Sequence, residues 1–234
     1  MDSIETAVLG IPAGSSRLPI LKRLVLLVVL SALGGLLFVP FATTGSVHHS
    51  IYPWLLFPLA AAVVAALCAW GGLLAADRSG LPMPILRAWE RGEPVDPVLI
   101  TRILRFAVLV GIAAAAITLA GSIAFRVPKN PGTLLERLLT TPFAAVVTET
   151  FAHLLVLSAI VLWLKNRWVA ILFSSLAYTL AFHGQPVGSL TITLFVFAFN
   201  FLFSTLTGWT YVRYGFLCAI LTHAVAHGIV LGVN

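Results

Sequence analysis

The chain alternates long apolar runs with short polar segments that hold most of the charges. A helix needs about 20 apolar residues to cross the hydrocarbon core of a bilayer. We therefore predict an all-α integral membrane protein with about seven transmembrane helices. An eighth span, or a short re-entrant segment in place of the fifth span, is the alternative. The predicted spans cover residues 24–42, 51–76, 106–125, 138–164, 168–183, 190–206 and 214–233.

Polar and turn-forming residues set the limits of these spans. The uncharged run 24–76 is too long for one helix, and we predict a turn near Gly45, beside His48 and His49, which we interpret as solvated. The segment 77–97, "DRSGLPMPILRAWERGEPVDP", is rich in Gly and Pro and predicts a surface loop with one short interfacial helix near residues 85–91.

We predict a single membrane domain over residues 1–234. It comprises a cytoplasmic tail (1–23), a region with the first three spans and their loops (24–137), and a four-span region (138–234) that contains the candidate chemistry. No cleavable signal peptide is evident at the start of the chain, so we expect the first span to direct insertion.

Composition supports the membrane assignment, because 60% of the residues are hydrophobic and only 9% are charged. Soluble domains have about 25% charged residues. The net charge of +6 could indicate nucleic acid, but the basic residues lie between apolar segments, as in loops at a membrane surface. We therefore expect membrane lipid as a partner and no nucleic acid. Cys68 and Cys218 lie in separate apolar runs, and we interpret both as packing residues.

The basic residues also predict an orientation. In the seven-span arrangement, 11 of the 14 Lys and Arg residues fall on the side of the N terminus and three on the other side. Because cytoplasmic loops have an excess of Lys and Arg, we place the N terminus in the cytoplasm and the C terminus outside. The membrane is expected to be the cytoplasmic (inner) membrane.

Five ionisable residues fall inside the last four predicted spans: Glu149, His153, His183, His223 and His227. A buried acidic group costs on the order of 2.5–3.5 kcal/mol in a membrane helix, so it is normally paired, protonated or functional. Glu149 and His153 are four residues apart, as are His223 and His227, and this spacing puts each pair on one helix face. The five residues are expected to form one site, in which Glu149, His183, His223 and His227 line one polar cavity.

Such a cluster has several interpretations. Glu149, His183, His223 and His227 could bind a metal ion such as Zn²⁺, because carboxylate and imidazole are zinc ligands. A carboxylate among imidazole donors could also activate water. The structural interpretation is that each histidine forms an interhelical hydrogen bond, and it is strongest for His153.

Three segments resemble motifs of the CPBP family of intramembrane proteases, which includes CAAX prenyl endopeptidases and proteins of bacteriocin processing or immunity. "GWTYVRYGFLCAILTHAVAH" (208–227) is similar to the last family motif, which ends in His-x-x-x-Asn. "SSLAYTLAFHG" (174–184) is similar to the second motif, an aromatic residue shortly before a His. "TETFAH" (148–153) stands where the family has Glu-Glu-x-x-x-Arg. The resemblance covers residues 140–232.

The resemblance implies an intramembrane peptidase that hydrolyses a peptide bond in a membrane-associated substrate. Glu149 would be the general base, His183 and His223 would orient the water directly or through a metal, and His227, in place of the family Asn, would stabilise the oxyanion. His153 would support Glu149 from the same helix face. The sequence departs from the family at the first motif, where one glutamate of the pair is replaced by Thr148 or by Thr150, depending on whether Glu149 is the second or the first of the two.

Two other classes of function fit the same residues. A non-enzymatic protein of this family, acting in bacteriocin immunity or as a scaffold, would explain the altered first motif. A metal-binding or haem-binding membrane protein would explain the number of histidines. Bis-histidine haem ligation needs imidazoles on opposite sides of a flat cavity, so His183 or His153 would have to face the pair His223 and His227.

Overall fold

The structure is a computed structural model that describes residues 18–42, 52–125, 134–186 and 188–233. These residues form α-helices and one π-helical segment, and no strand occurs among them. The predicted turn with His48 and His49, the N-terminal tail up to residue 17 and the segment 126–133 lie outside the described residues. The helices are α1 (Leu18–Ala42), α2 (Tyr52–Ser79), α3 (Pro84–Arg91), α4 (Pro97–Ala124), α5 (Leu134–Glu149), α6 (Ser158–Leu164), α7 (Arg167–His183), α8 (Leu190–Tyr214) and α9 (Phe216–Val233).

The apolar runs of the sequence form the long helices, and local capping residues set several of their ends. Asp96 accepts a hydrogen bond from the backbone N–H of Val98 at the start of α4, where Pro97 occupies the first helical position. Asn166 caps α7 in the same way, through the N–H of Val169. Such side chains satisfy N–H groups that have no partner inside the helix. Over its described residues α7 is one continuous helix.

The chain is an integral membrane protein, in agreement with its composition. Among the described residues, four helical segments are long and apolar enough to cross a membrane. They are Ala62–Ser79, Pro97–Ala124, Ala144–Leu164 and Leu190–Tyr214, and the shorter apolar segment Phe216–Val230 adds to them. The all-helical membrane class is confirmed, whereas the count of seven spans stays a prediction.

A π-helical segment, Thr150–Leu157, joins α5 to α6 and begins directly after Glu149. A π-helix is wider than an α-helix, and such segments occur preferentially at functional sites. The π segment packs against α2 and α7, while α5 packs against α9 and α1. The junction at Glu149 therefore lies in the centre of the helix bundle.

The short helix predicted near residues 85–91 is confirmed as α3, whereas the loop predicted around it is partly buried and only in part at the surface. Leu81, Met83 and Leu86 are each at most 3% exposed and belong to the main hydrophobic core. Their burial draws α3 against α1. Burying these three apolar side chains stabilises the fold more than leaving them exposed in a solvated loop would.

Four charged side chains lie together where α1, α2 and α3 meet, and we call them the Arg23 cluster: Arg23, Asp77, Arg87 and Glu90. The guanidinium of Arg23 donates to both oxygens of Asp77, at 2.8 and 3.2 Å, and its Nε lies 3.1 Å from Oε2 of Glu90. Arg87 donates to Asp77 at 2.9 Å. Arg23 and Glu90 are 2% and 7% exposed. The cluster fixes α3 to the first two long helices.

Both cysteines are buried and unpaired among the described residues, as expected for packing residues. Large apolar side chains remain exposed on the outer faces of several helices. Leu109 of α4 and Leu194 of α8, for example, are 67% and 59% exposed. In an integral membrane protein these faces contact lipid.

Candidate active site

Glu149 is the last residue of α5 and is buried, with 1% of its surface exposed. Its Oε1 lies 2.7 Å from Nδ1 of His223, and its Oε2 accepts a hydrogen bond from Nδ1 of His153. An ionised carboxylate can only accept, so each of these imidazole nitrogens bears the hydrogen. Both oxygens of the buried acid are thus satisfied by histidine.

The helix arrangement explains this convergence. His153 stands four residues after Glu149 and reaches back along the same face. His223 belongs to α9, which packs directly against α5. The sequence indicated that a carboxylate in this environment would be paired, protonated or functional, because leaving it charged and alone in the apolar interior is costly. Among the described residues the ion-pair partners of Glu149 are these two imidazoles.

His227 extends the cluster along α9. Its ring centroid lies 4.5 Å from that of His223, as the four-residue spacing predicts. Phe203 of α8 contacts both rings, with centroids 5.0 and 5.5 Å away. The structure therefore places the pair His223 and His227 on one face, against α8 and beside Glu149.

His183, the last residue of α7, joins the cluster through Tyr178. Its Nε2 lies 3.2 Å from the hydroxyl of Tyr178, whose ring meets that of His223 edge-on at a centroid distance of 6.1 Å. Tyr178 is 1% exposed. The structure thus brings together all five residues that the sequence singled out, with His183 one side chain removed from Glu149.

Sequence reasoning missed two participants on α8, Phe203 and Ser204. The backbone oxygen of Ser204 lies 3.1 Å from Nε2 of His153, and its hydroxyl lies 3.4 Å away. Neither residue is ionisable, so neither stood out from the apolar pattern. Tyr178 had a weak signal, since it precedes His183 by five residues, near the aromatic position of the second motif.

The described residues do not fit the predicted metal site. Among them, no group of three or more His, Cys, Asp or Glu side chains is arranged to bind a metal ion. The reason lies in the donor atoms: both oxygens of Glu149 already accept hydrogen bonds from imidazole, and Nε2 of His183 faces Tyr178. The haem alternative needs His183 or His153 opposite His223 and His227, but both nitrogens of His153 have partners, Glu149 and Ser204, and Nε2 of His183 faces Tyr178.

Comparison with known families identifies the same part of the chain. Residues 130–229 match the model of the Rce1-like family, described as type II CAAX prenyl endopeptidase Rce1-like. The predicted resemblance to the CAAX-type proteases is confirmed. The match covers less than half of the 234 residues, and we call residues 130–229 the protease-like region. No curated protein and no solved structure matches the chain.

The protease-like region contains α5 to α9 except for the last residues of α9, and therefore all five candidate site residues. The Arg23 cluster and helices α1 to α4 precede it.

Proposed function

We propose that the protein is an intramembrane peptidase in which Glu149, coupled to His223, activates the water that attacks the scissile carbonyl. The observation that supports this most directly is the 2.7 Å contact between Oε1 of Glu149 and Nδ1 of His223 in a buried site. A carboxylate that orients an imidazole through Nδ1 leaves Nε2 as the reacting nitrogen, which is the arrangement used for general base catalysis in many hydrolases.

In the proposed reaction, water lies against Nε2 of His223. Its proton passes to the Glu149–His223 pair while its oxygen adds to the carbonyl carbon, and the same proton then goes to the departing amine. His183 helps to orient the water, and His227 donates a hydrogen bond to the oxyanion, which is the largest source of rate enhancement in such sites. No step in this scheme uses a metal.

The substrate we propose is a peptide segment held at the membrane. The matching family is named for cleavage of prenylated CAAX sequences, so an internally quenched peptide that ends in a farnesylated CAAX sequence is a suitable first probe. The substrate would reach the site either from the bilayer or through a polar cavity.

Glu149→Gln in the purified full-length protein is the decisive experiment. Glutamine keeps the shape of the side chain but cannot take a proton, so the rate of probe cleavage should fall by about 100-fold or more. Glu90→Gln, the same exchange at a buried glutamate of the Arg23 cluster, is the matched control and should cleave like wild type. Unchanged cleavage by Glu149→Gln would reject Glu149 as part of the base.

A non-enzymatic function remains the alternative, in bacteriocin immunity or as a scaffold. The loss of one of the two family glutamates, at Thr148 or Thr150, favours it. Comparing membrane peptides from cells with and without the gene provides a substrate search independent of the probe. If no peptide differs, and if the Glu149→Gln gene fully restores the phenotype of a deletion strain, the protein acts by binding.

We also propose that the chain is a single membrane domain in the cytoplasmic membrane, with the N terminus inside and the C terminus outside. The excess of Lys and Arg on one side of the predicted spans supports this orientation. Reporter fusions after Asn234 should give an extracytoplasmic signal. A cytoplasmic signal would mean an even number of spans.

A further inference from the structure

Helix α8 has no acidic residue or histidine, and its only basic residue, Arg213, stands at its end. From the sequence we therefore did not expect α8 to contribute to the site. It nevertheless contacts His153 at two places, one helical turn apart. One is the backbone oxygen of Ser204, 3.1 Å from Nε2, and the other is Gly208.

Gly208 lies directly against the imidazole. A Cβ atom added to this glycine would stand 3.0 Å from Nε2 and 3.1 Å from Cδ2 of His153, and 3.4 Å from Cγ2 of Ile171. Contacts near 3.0 Å are shorter than van der Waals contact between heavy atoms. The ring of His153 thus occupies space that a side chain at position 208 would need.

We propose that α8 positions the catalytic base: the backbone oxygen of Ser204 and the open surface of Gly208 form a seat for His153, which in turn holds Oε2 of Glu149. We call this pair the α8 seat. The inference rests on the proposed function, because it assigns His153, Ser204 and Gly208 as positioning residues for the same carboxylate.

The geometry of His153 carries the inference. The ring is 0% exposed, and its two nitrogens face different partners, Nδ1 towards Glu149 and Nε2 towards Ser204. A histidine that only joined two helices would need the bond to Ser204 alone. Because a planar ring links both contacts, a displacement at the α8 seat must move the nitrogen that holds Glu149.

The acceptor in the α8 seat is itself held in place. The hydroxyl of Thr207 also donates to the backbone oxygen of Ser204, at 3.1 Å, and Thr207 is completely buried. With Oε2 held by His153 and Oε1 bound to His223, the carboxylate of Glu149 cannot rotate. Such fixed orientation is worth much to a catalytic group, since a displacement of about 1 Å can lower a rate by about 100-fold.

The test is a double-mutant cycle between Gly208→Ala and His153→Ala, with the farnesylated quenched peptide as probe. Gly208→Ala should lower kcat by about 10-fold or more and leave KM within about 2-fold, because it displaces the base and not the substrate. In the His153→Ala background, the same exchange should have no further effect on kcat. If the effects of the two exchanges on kcat instead multiply in the double variant, the proposal is overturned.

Gly228→Ala is the matched control. Gly228 is also a glycine in a helix of the protease-like region, but an added Cβ there would meet no atom within 4 Å. It should keep wild-type kcat and thermal unfolding. If Gly208→Ala behaves like Gly228→Ala, the α8 seat does not act on the site. Thermal unfolding of each variant in detergent separates lost folding from lost positioning.

A second readout needs no substrate. In protein labelled with ¹³C at the glutamate carboxylates, the infrared band that disappears in Glu149→Gln belongs to Glu149. Gly208→Ala and His153→Gln should each shift this band, and Gly228→Ala should not. An unshifted band in both variants would overturn the α8 seat, even if cleavage turns out not to need Glu149. If Gly208→Ala does not fold, the test uses His153→Gln alone. The proposal is then rejected if that variant keeps both the wild-type infrared band of Glu149 and the wild-type kcat.

Discussion

Two places in this protein bury a glutamate, and they do so with different partners. Glu90 lies in the Arg23 cluster, outside the long helices, against the guanidinium of Arg23. Glu149 lies in the centre of the bundle between the imidazoles of His153 and His223. Both glutamates are at most 7% exposed, so the difference between the sites is in the partner and not in the burial.

The partner decides what each site can do. Guanidinium stays protonated under all ordinary conditions and only donates, so a carboxylate paired with it becomes a fixed structural link. Imidazole exchanges its proton near neutral pH and has two distinct nitrogens, one of which stays available when the other binds a carboxylate. The Arg23 cluster is therefore suited to fixing α3, and the Glu149 cluster to moving protons.

The largest expected effect is on stability, at the Arg23 cluster. Arg23→Ala removes the cation between Asp77 and Glu90 and leaves two carboxylates without their common partner. Breaking a buried ion pair in this way costs about 3–5 kcal/mol. Thermal and denaturant unfolding in detergent would measure the loss. The fraction that stays folded should cleave the probe with wild-type kcat.

Arg91→Ala is the control for Arg23→Ala, because Arg91 pairs with Glu93 at the surface, where both side chains are about half exposed. Exposed pairs contribute less than about 1 kcal/mol. A loss of activity in folded Arg23→Ala protein, beyond that in Arg91→Ala, would contradict a purely structural role of the cluster.

The next effect is on catalysis, at His223. His223→Ala leaves Oε1 of Glu149 without its partner and removes Nε2, so kcat should fall by about 100-fold, which corresponds to about 2.7 kcal/mol. Unfolding should change less than in Arg23→Ala. Steady-state cleavage of the farnesylated peptide gives the comparison. If His223→Ala keeps its rate but unfolds readily, the site is structural and the contrast between the two glutamates is wrong.

The smallest expected effect is on the pH dependence of stability, through Glu90. Burial raises the pKa of Glu90 above its ordinary value of 4.5, although the charge of Arg23 opposes the shift. A carboxyl with a raised pKa binds its proton more readily in the folded state. Its contribution to stability is therefore present below about pH 4.5 and is lost as the pH rises through the folded pKa.

Glu90→Gln should remove this pH dependence. Its stability at pH 7 should differ from wild type by about 1 kcal/mol or less, because Arg23 keeps both oxygens of Asp77. Thermal unfolding between pH 4 and 7, with the exposed Glu93→Gln as control, would show it. If the wild-type protein instead becomes more stable relative to Glu90→Gln as the pH rises, the prediction is wrong.

The hydrophobic pattern predicted the helices well, because each long apolar run must satisfy its backbone internally in a bilayer. It did not predict the burial of the segment between α2 and α4. There, Leu81 and Met83 pack into the core between polar neighbours, and the ion pairs of Arg23 hold the segment in place. Burial of this kind depends on contacts between distant residues, which no local pattern contains.

The candidate site was predictable where its chemistry is in ionisable side chains. The spacings Glu149 to His153 and His223 to His227 indicated two faces that meet. The sequence could not predict Ser204 and Gly208, because a backbone oxygen is present at every residue and a glycine in a membrane helix has many uses. For a related reason the spacing could not decide whether these donor atoms point at one metal ion, since the direction of each donor atom depends on rotamers that the spacing does not fix.

The π segment after Glu149 changes the helical register of the residues that follow it. A π-helix is what results when one residue is inserted into an α-helix without breaking it. Each inserted residue would otherwise rotate everything beyond it by about 100°. Side chains that follow the start of Thr150–Leu157 therefore point in other directions than the same positions would in an unbroken α-helix. Deleting one residue within Thr150–Leu157, and not substituting one, is the mutation that would convert one register into the other.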